Sequence, residues 1–171
     1  MDATSFIGAR YPNREQLLMT LAEAGVPVRV YGRDWSGAWQ DRLRTWRWRT
    51  PGLPSGRDLG RADAYGVMAA SAATLNIHGD QDGFTIRTFE TAGVGGVQLV
   101  DRTEVSRYYE PGVEVEVFDG ADGSDGIVEV TRRLLADPAR AARMREAARR
   151  RTLAEHTLTH RAAQLTELWP V

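Results

Sequence analysis

Apolar positions along the chain follow two alternating rhythms. Short runs rich in β-branched residues recur at 5–9 (SFIGA), 26–32 (VPVRVYG), 73–78 (ATLNIH), 97–101 (VQLVD) and 113–119 (VEVEVFD). Between them lie 13–25 (NREQLLMTLAEAG), 59–71 (LGRADAYGVMAAS) and 85–95 (TIRTFETAGVG), whose apolar residues recur every three or four positions. Compact β-branched runs are strand material and the wider spacing is that of an amphipathic helix. Their alternation predicts βαβ units, hence an α/β fold with a parallel sheet and helices on both faces.

Local punctuation refines these elements. In the first helix Leu17, Leu18, Leu21 and Ala24 form the stripe, with Asn13 the expected N-cap and Gly25 the residue just past the end. Over 35–50 the alternation of Trp46, Arg47, Trp48 and Arg49 reads as an edge strand with one apolar face and solvated arginines. A platform for single-stranded nucleic acid is the competing reading. GVGG at 93–96 reads as a helix-ending turn, and the Gly/Asp stretch 119–126 as a turn before a helix through Ile127, Val130, Leu134 and Leu135. A long C-terminal helical segment, in one piece or two, is expected from about 137, with Asp137 as cap and Pro138 in the first position. Its arginine-rich face over 140–151 reads as solvated surface.

Length and composition narrow the classes. The chain has 171 residues, 42% of them hydrophobic, which fits a single domain over 1–171 with a real core. A formal net charge of −1 gives no call for nucleic acid or an anionic membrane, and all 22 basic side chains are arginine. Cysteine is absent, which excludes disulfides, thiolate metal sites and cysteine nucleophiles. No run approaches the roughly 20 apolar residues of a membrane span, and no secretory leader is evident at the N-terminus. A cytoplasmic location is therefore expected.

Open parallel sheets bind ligands beyond the carboxyl ends of their strands, so the loops there are where chemistry is sought. Those loops read GARYPNRE, YGRDW, HGDQDGFTIR and DRTE, and Gly stands with Arg in three of them. Neither GxGxxG nor GxxxxGK[ST] occurs. In the 85–95 helix, Ile86, Phe89, Glu90 and Gly93 share one face, which puts Glu90 at the edge of the expected buried stripe. Arg87 falls in the first turn, where a cation opposes the helix dipole at a cost of about 0.3–1 kcal/mol. One reading is an ion pair between Arg87 and Glu90. The other is an anion at that helix end, which would reverse the sign of the cost, with Glu90 accepting from paired hydroxyls.

These residues resemble a known family. Asp82, Gly83 and Phe84, with Glu90 eight positions after Asp82, look like the EGFGxxxxE motif of the nucleotide-sugar domain in GT-B glycosyltransferases. The stretch 64–101, with YYEPGVEVEVFD and HTLTHRAAQL, is similar to the C-terminal region of CgeB-like glycosyltransferases of the spore-maturation type. The resemblance runs over nearly the whole chain and is most specific in LNIHGDQDGFTIRTFETAGVGG.

What the resemblance implies is a Rossmann-like domain, the C-terminal half of a GT-B fold, that binds a nucleoside diphosphate sugar as donor substrate and uses no separate cofactor or bound metal. Glu90 would hold the ribose; Arg87 and the amides of Thr85 and Ile86 would face phosphate, with Arg87 and Asp82 nearest the chemistry. Arg14 matches a basic donor-phosphate position, Gly8 and Gly32 would let the nucleotide approach the strand ends, and His78 would contact sugar or phosphate or serve structure. Asp82 stands where the motif has Glu, which shortens its reach. The acceptor would sit on an N-terminal lobe or a partner chain. The alternative is a non-catalytic module that binds nucleotide or nucleotide-sugar. A flavodoxin-like regulatory domain would need an acidic cluster after the first strand, which is lacking. His156 and His160 stand one helical turn apart, a zinc-like spacing, though packing on the closing helix also accounts for them.

Overall fold

The computed structural model describes residues 2–79, 82–118 and 124–169. Six strands form one sheet: β1 (Thr4–Ile7), β2 (Val28–Tyr31), β3 (Ser55–Gly56), β4 (Ala73–Asn76), β5 (Gln98–Val100) and β6 (Glu116–Val117). All pairings are parallel and the order is β3-β2-β1-β4-β5-β6. The direction in which successive strands are added therefore reverses between β1 and β4, leaving a crevice beyond their carboxyl ends. The helices are α1 (Pro12–Glu23), α2 (Trp39–Thr45), α3 (Arg61–Ala70), α4 (Ile86–Gly93), α5 (Ser124–Ala136), α6 (Pro138–Glu155) and α7 (Leu158–Leu168). A 3₁₀ turn covers Thr103–Arg107. None of these helices is long and apolar enough to cross a membrane.

Strand alternation sorts the side chains between two layers. Phe6, Leu75 and Leu99 point to the face where Leu18 and Leu21 of α1 and Ile127 and Leu134 of α5 pack. Their neighbours Ile7 and Val100 point the other way, Ile7 onto Ala64 and Met68 of α3 and Val100 onto Ala92 of α4. Helix α6 straddles the sheet edge: Met144 joins the first core while Ala148 joins the second. Each buried aliphatic side chain is worth about 1.5–3 kcal/mol.

The helix ends show where local reading holds. Past α1, Gly25 takes φ +76, its N–H bonding to the Ala22 carbonyl and that of Val26 to Leu21, a left-handed termination that relieves the orphan carbonyls. Gly95 (φ +79) does the same after α4, and a Cβ on Gly96 would lie 2.9 Å from the Met68 carbonyl oxygen, so α3 packs against bare backbone. At the start of α1 the cap is Tyr11 rather than Asn13: Pro12 takes the first helical position, which pushes Asn13 inside, where its Oδ1 accepts from Arg14 N. Asp137 accepts from the Arg140 N–H and caps α6.

Two expectations are corrected. The Trp/Arg stretch is not an edge strand: Trp39–Thr45 is helical, Trp46 ends it at φ 54, and 47–50 has no regular structure. The edge beside β2 is taken by Ser55–Gly56 instead, so 46–49 has no ladder to join. Nor is the α6 arginine face simply solvated. Arg145 donates to the Ala69 and Ser71 carbonyls, and Arg151 meets Glu114 at 2.7 Å. Arg140 pairs with Glu116. The Gly/Asp turn expected over 119–126 lies outside the described residues as far as 123; α5 begins at 124.

Candidate functional site

The residues singled out for donor binding come from loops that the topology gathers at the carboxyl ends of β1, β2 and β4. Arg14, in the first turn of α1, is buried, and its Nε and Nη2 donate to the Ile77 carbonyl at 3.1 and 2.8 Å, with Nη1 on Ala9 O at 3.3 Å. Arg87, in the first turn of α4, donates from Nη1 to the Ile7 carbonyl. Two guanidiniums from different helices thus cap the ends of the two central strands. Burial pulls both below the ordinary arginine value, and the charge of Arg87 lowers Arg14 further. Converging, partly desolvated cations of this kind gain from a nearby anion.

Helix α4 starts at Thr85, whose side chain does not cap it. Among the described residues no side chain therefore answers the amides of Ile86 and Arg87, which stand at the positive end of the dipole on the carboxyl side of β4. Ile86 is exposed, and the inward face is Thr88, Thr91 and Ala92, not the stripe of Ile86, Phe89, Glu90 and Gly93 that the spacing suggested. The reason is that the sheet beneath α4 is polar. Asn76 Nδ2 donates to Thr88 Oγ1 at 2.7 Å, Gln98 Nε2 donates to the Thr88 carbonyl at 3.0 Å, and Thr85 Oγ1 reaches Asn76 Oδ1 at 3.4 Å. Threonine, a poor helix former, is used here because its hydroxyl answers buried amides.

Glu90 lies half-buried at the rim, as its position on the helix implied, but its partner is unforeseen. Tyr65 of α3 donates its hydroxyl to Glu90 Oε1 at 2.7 Å, and that contact pushes the tyrosine above its usual pKa. Among the described residues Arg87 and Glu90 make no ion pair within 4 Å; Arg87 feels the carboxylate only at longer range. The simple pairing of the two is thereby replaced by a division of labour, Arg87 on strand backbone and Glu90 on a phenol.

His78 does not face the crevice. Its side chain is fully buried, with Nδ1 2.8 Å from Asp101 Oδ1 and Nε2 3.4 Å from Thr88 Oγ1. Asp101 also accepts from the amides of His78 and Gly79 at 2.8 and 2.9 Å. The ring therefore locks the loop after β4 and offers no surface to a ligand. Arg102 holds the same loop, donating to the carbonyls of Gly83 at 2.9 Å and Gly79 at 2.7 Å. Asp82, beside Gly83 at φ +71, is exposed at the mouth.

Gly8 and Gly32 have an internal reason to be glycine. Gly32 takes φ +150, and a Cβ there would meet the Gly8 carbonyl oxygen at 2.6 Å. The same carbonyl accepts from Trp35 Nε1 at 2.8 Å, so the ends of β1 and β2 are drawn together into a low rim. His156 and His160 also serve structure. His156 Nε2 lies 3.0 Å from the Tyr108 carbonyl and the ring packs edge-on to Phe89, Tyr108 and Tyr109. His160 completes a capping box with Thr157 at the start of α7. Among the described residues there is no group of three or more His, Asp or Glu placed to hold a metal ion.

Sequence reasoning missed Tyr65, Asn76, Thr88, Asp101 and Arg102. Asn76 carried a faint signal, a polar residue in an otherwise apolar strand run; Tyr65 carried none, since its partner lies on another helix.

No curated protein matches the chain. Solved structures share its fold. HepE (Alr3699) from Anabaena, in complex with UDP-glucose, superposes with a TM-score of 0.74 at 14% identity, covering 97% of this chain and 48% of that one. Sucrose-phosphate synthase from Thermosynechococcus elongatus gives 0.72 at 15% identity, covering 97% and 44%. T4 phage BGT, in complex with its UDP-glucose substrate, gives 0.66 at 11%, covering 100% and 49%. The chain spans less than half the length of each. At such identities the likeness is one of fold, and that fold is the Rossmann-like C-terminal domain of GT-B enzymes. A family model described as glycosyl transferase-like matches residues 13–167, and the chain accordingly belongs to the glycosyl transferase-like family.

Proposed function

We propose that the chain is the donor-binding domain of a GT-B glycosyltransferase of the CgeB-like type, taking a nucleoside diphosphate sugar. The observation that carries this reading is the convergence of Arg14 and Arg87 on the ends of β1 and β4, beside the uncapped start of α4 and within one turn of Glu90. A diphosphate would lie against the α4 amides and the two guanidiniums. Glu90 would turn its second oxygen, which Tyr65 leaves open, to a ribose hydroxyl. Asp82, exposed at the mouth, would approach the sugar.

Positive groups fixed in advance stabilise charge as it builds on the departing diphosphate, and their reorganisation cost has already been met in folding. No metal is needed for that step. The acceptor would be bound by a second lobe or a partner chain facing the crevice. That two of the similar structures hold UDP-glucose favours a UDP-linked donor.

Titration calorimetry with UDP, GDP and dTDP tests the proposal. At least one nucleotide is expected to bind, and Glu90→Ala to weaken it about tenfold or more, the equivalent of a charge-assisted hydrogen bond of about 1.5–3 kcal/mol. Circular dichroism should be unchanged in the variant. Binding that ignores the substitution, or no binding of any of the three, would remove the basis for the assignment. Turnover of a donor panel separates a transferase domain from a binding module: a module would bind and never turn over, even when supplied with an acceptor lobe.

A further inference from the structure

Outside the crevice, the most unusual surface is built by residues 39–49. Trp39 and Leu43 lie one turn apart on α2, Trp46 is the residue that ends the helix, and Trp48 follows two positions on. Their exposures are 68%, 46%, 77% and 61%. Large apolar side chains grouped in this way mark a surface that is covered in use. Cations are interleaved with them. Arg44, Arg47 and Arg49 are exposed and Arg42 is half-buried, and among the described residues none of the four forms an ion pair. Over 38–50 there are four arginines against the single Asp41, a net of +3 that leaves −4 on the rest of a chain whose total is −1. Asp41 itself is buried and engaged by Arg57 at 2.8 Å, so it does not offset the exposed charge.

We propose that this face docks on an anionic lipid surface. Tryptophan, leucine and arginine in one shallow patch are the chemistry of a membrane interface: indole rings settle at headgroup depth, leucine reaches the acyl boundary, and guanidiniums meet phosphate. A second protein lobe would have to answer each of these cations with an acceptor in a fixed place, whereas an anionic headgroup layer offers phosphate oxygens across the whole face. Stacking of single-stranded nucleic acid would leave Leu43 without a role and would call for a platform or groove, whereas these side chains project from a short helix and its left-handed end. The charge asymmetry orients the molecule, presenting the patch and turning the acidic remainder away. The loop after β1 donates from Arg10 Nη1 to the Arg49 carbonyl at 2.9 Å, so the patch lies at the same end of the sheet as the crevice. On the donor-site reading alone, docking would bring transfer close to acceptors carried in that surface.

The full chain is tested by cosedimentation with vesicles of phosphatidylcholine, with and without phosphatidylglycerol, and by tryptophan emission. Binding and a blue shift are expected only with the anionic lipid, and added salt should weaken both. Arg44→Gln combined with Arg47→Gln should reduce vesicle affinity about fivefold for each arginine. Trp46→Ser with Trp48→Ser should reduce the blue shift to what Trp39 alone reports, while circular dichroism stays unchanged. The proposal is overturned if vesicles are not bound, if the substitutions leave binding intact, or if the patch instead drives self-association or capture of a single-stranded oligonucleotide. None of these readouts depends on nucleotide binding, so this proposal and the donor assignment fail independently.

Discussion

Tyr65 shows how much one hydroxyl can decide. By donating to Oε1 of Glu90 it fixes the carboxylate rotamer at the rim, and its raised pKa keeps the phenol a donor well above neutral pH. Tyr65→Phe keeps the ring and removes that bond, worth about 0.5–1.5 kcal/mol. The expected result is a few-fold loss of UDP affinity by calorimetry with little change in thermal stability; unchanged affinity would show that Glu90 needs no such support. At this scale the sequence was legible where a charge stood out of place on its own helix. Arg87 and Glu90 could be picked because each conflicts with local helix chemistry. Tyr65, Asp101 and Arg102 break no local rule, and their meaning arises only from residues 19 or more positions away. His78 stood open between a ligand contact and a structural role, because a histidine at a strand end looks available and nothing in its neighbours announces that Asp101 has taken it.

Among elements, α4 is the one whose seating matters most, and it is seated by polar contacts. Thr88 accepts from Asn76 and, through its carbonyl, from Gln98, and it meets the buried His78 ring. Thr88→Val keeps the shape but strands the Asn76 amide in the interior, a loss of about 1–3 kcal/mol that urea denaturation would measure. Nucleotide affinity should fall with it, since the amides of the first turn shift when the helix does. A variant as stable as the parent would mean that packing alone holds α4. Helices such as α1 and α3, whose inner faces are aliphatic, were readable from periodicity. The inner face of α4 was not, because threonine at 88 and 91 reads as polar and so as outward. The same blindness applies to α2, where local Trp/Arg alternation suggests a strand but helical contacts and a filled sheet edge prevail.

Across the whole molecule, α6 ties the two cores together, and Tyr109 is one of its clasps. The Tyr109 hydroxyl lies 2.7 Å from Thr152 Oγ1, and burial pushes its pKa from 10.0 up to about 12. The folded value is the higher one, so the stability this group contributes is complete below pH 10.0 and is lost as pH climbs from there toward about 12. Tyr109→Phe should lower stability near neutral pH by about 0.5–1.5 kcal/mol through the missing hydrogen bond. It should also flatten the alkaline decline, so that parent and variant converge in urea melts at about pH 11. Parallel curves would show that other tyrosines dominate the alkaline limb. The overall architecture was the most legible level, because strand and helix rhythms add over many residues. What they could not convey was the two-residue extent of β3.

That brevity has a consequence of its own. Both outermost strands, β3 and β6, are only two residues long, so a foreign extended segment arriving sideways meets almost no unpaired backbone to template on. Ribbon growth by strand addition is starved at either margin, the more so beside β3, where Pro54 carries no backbone N–H to offer.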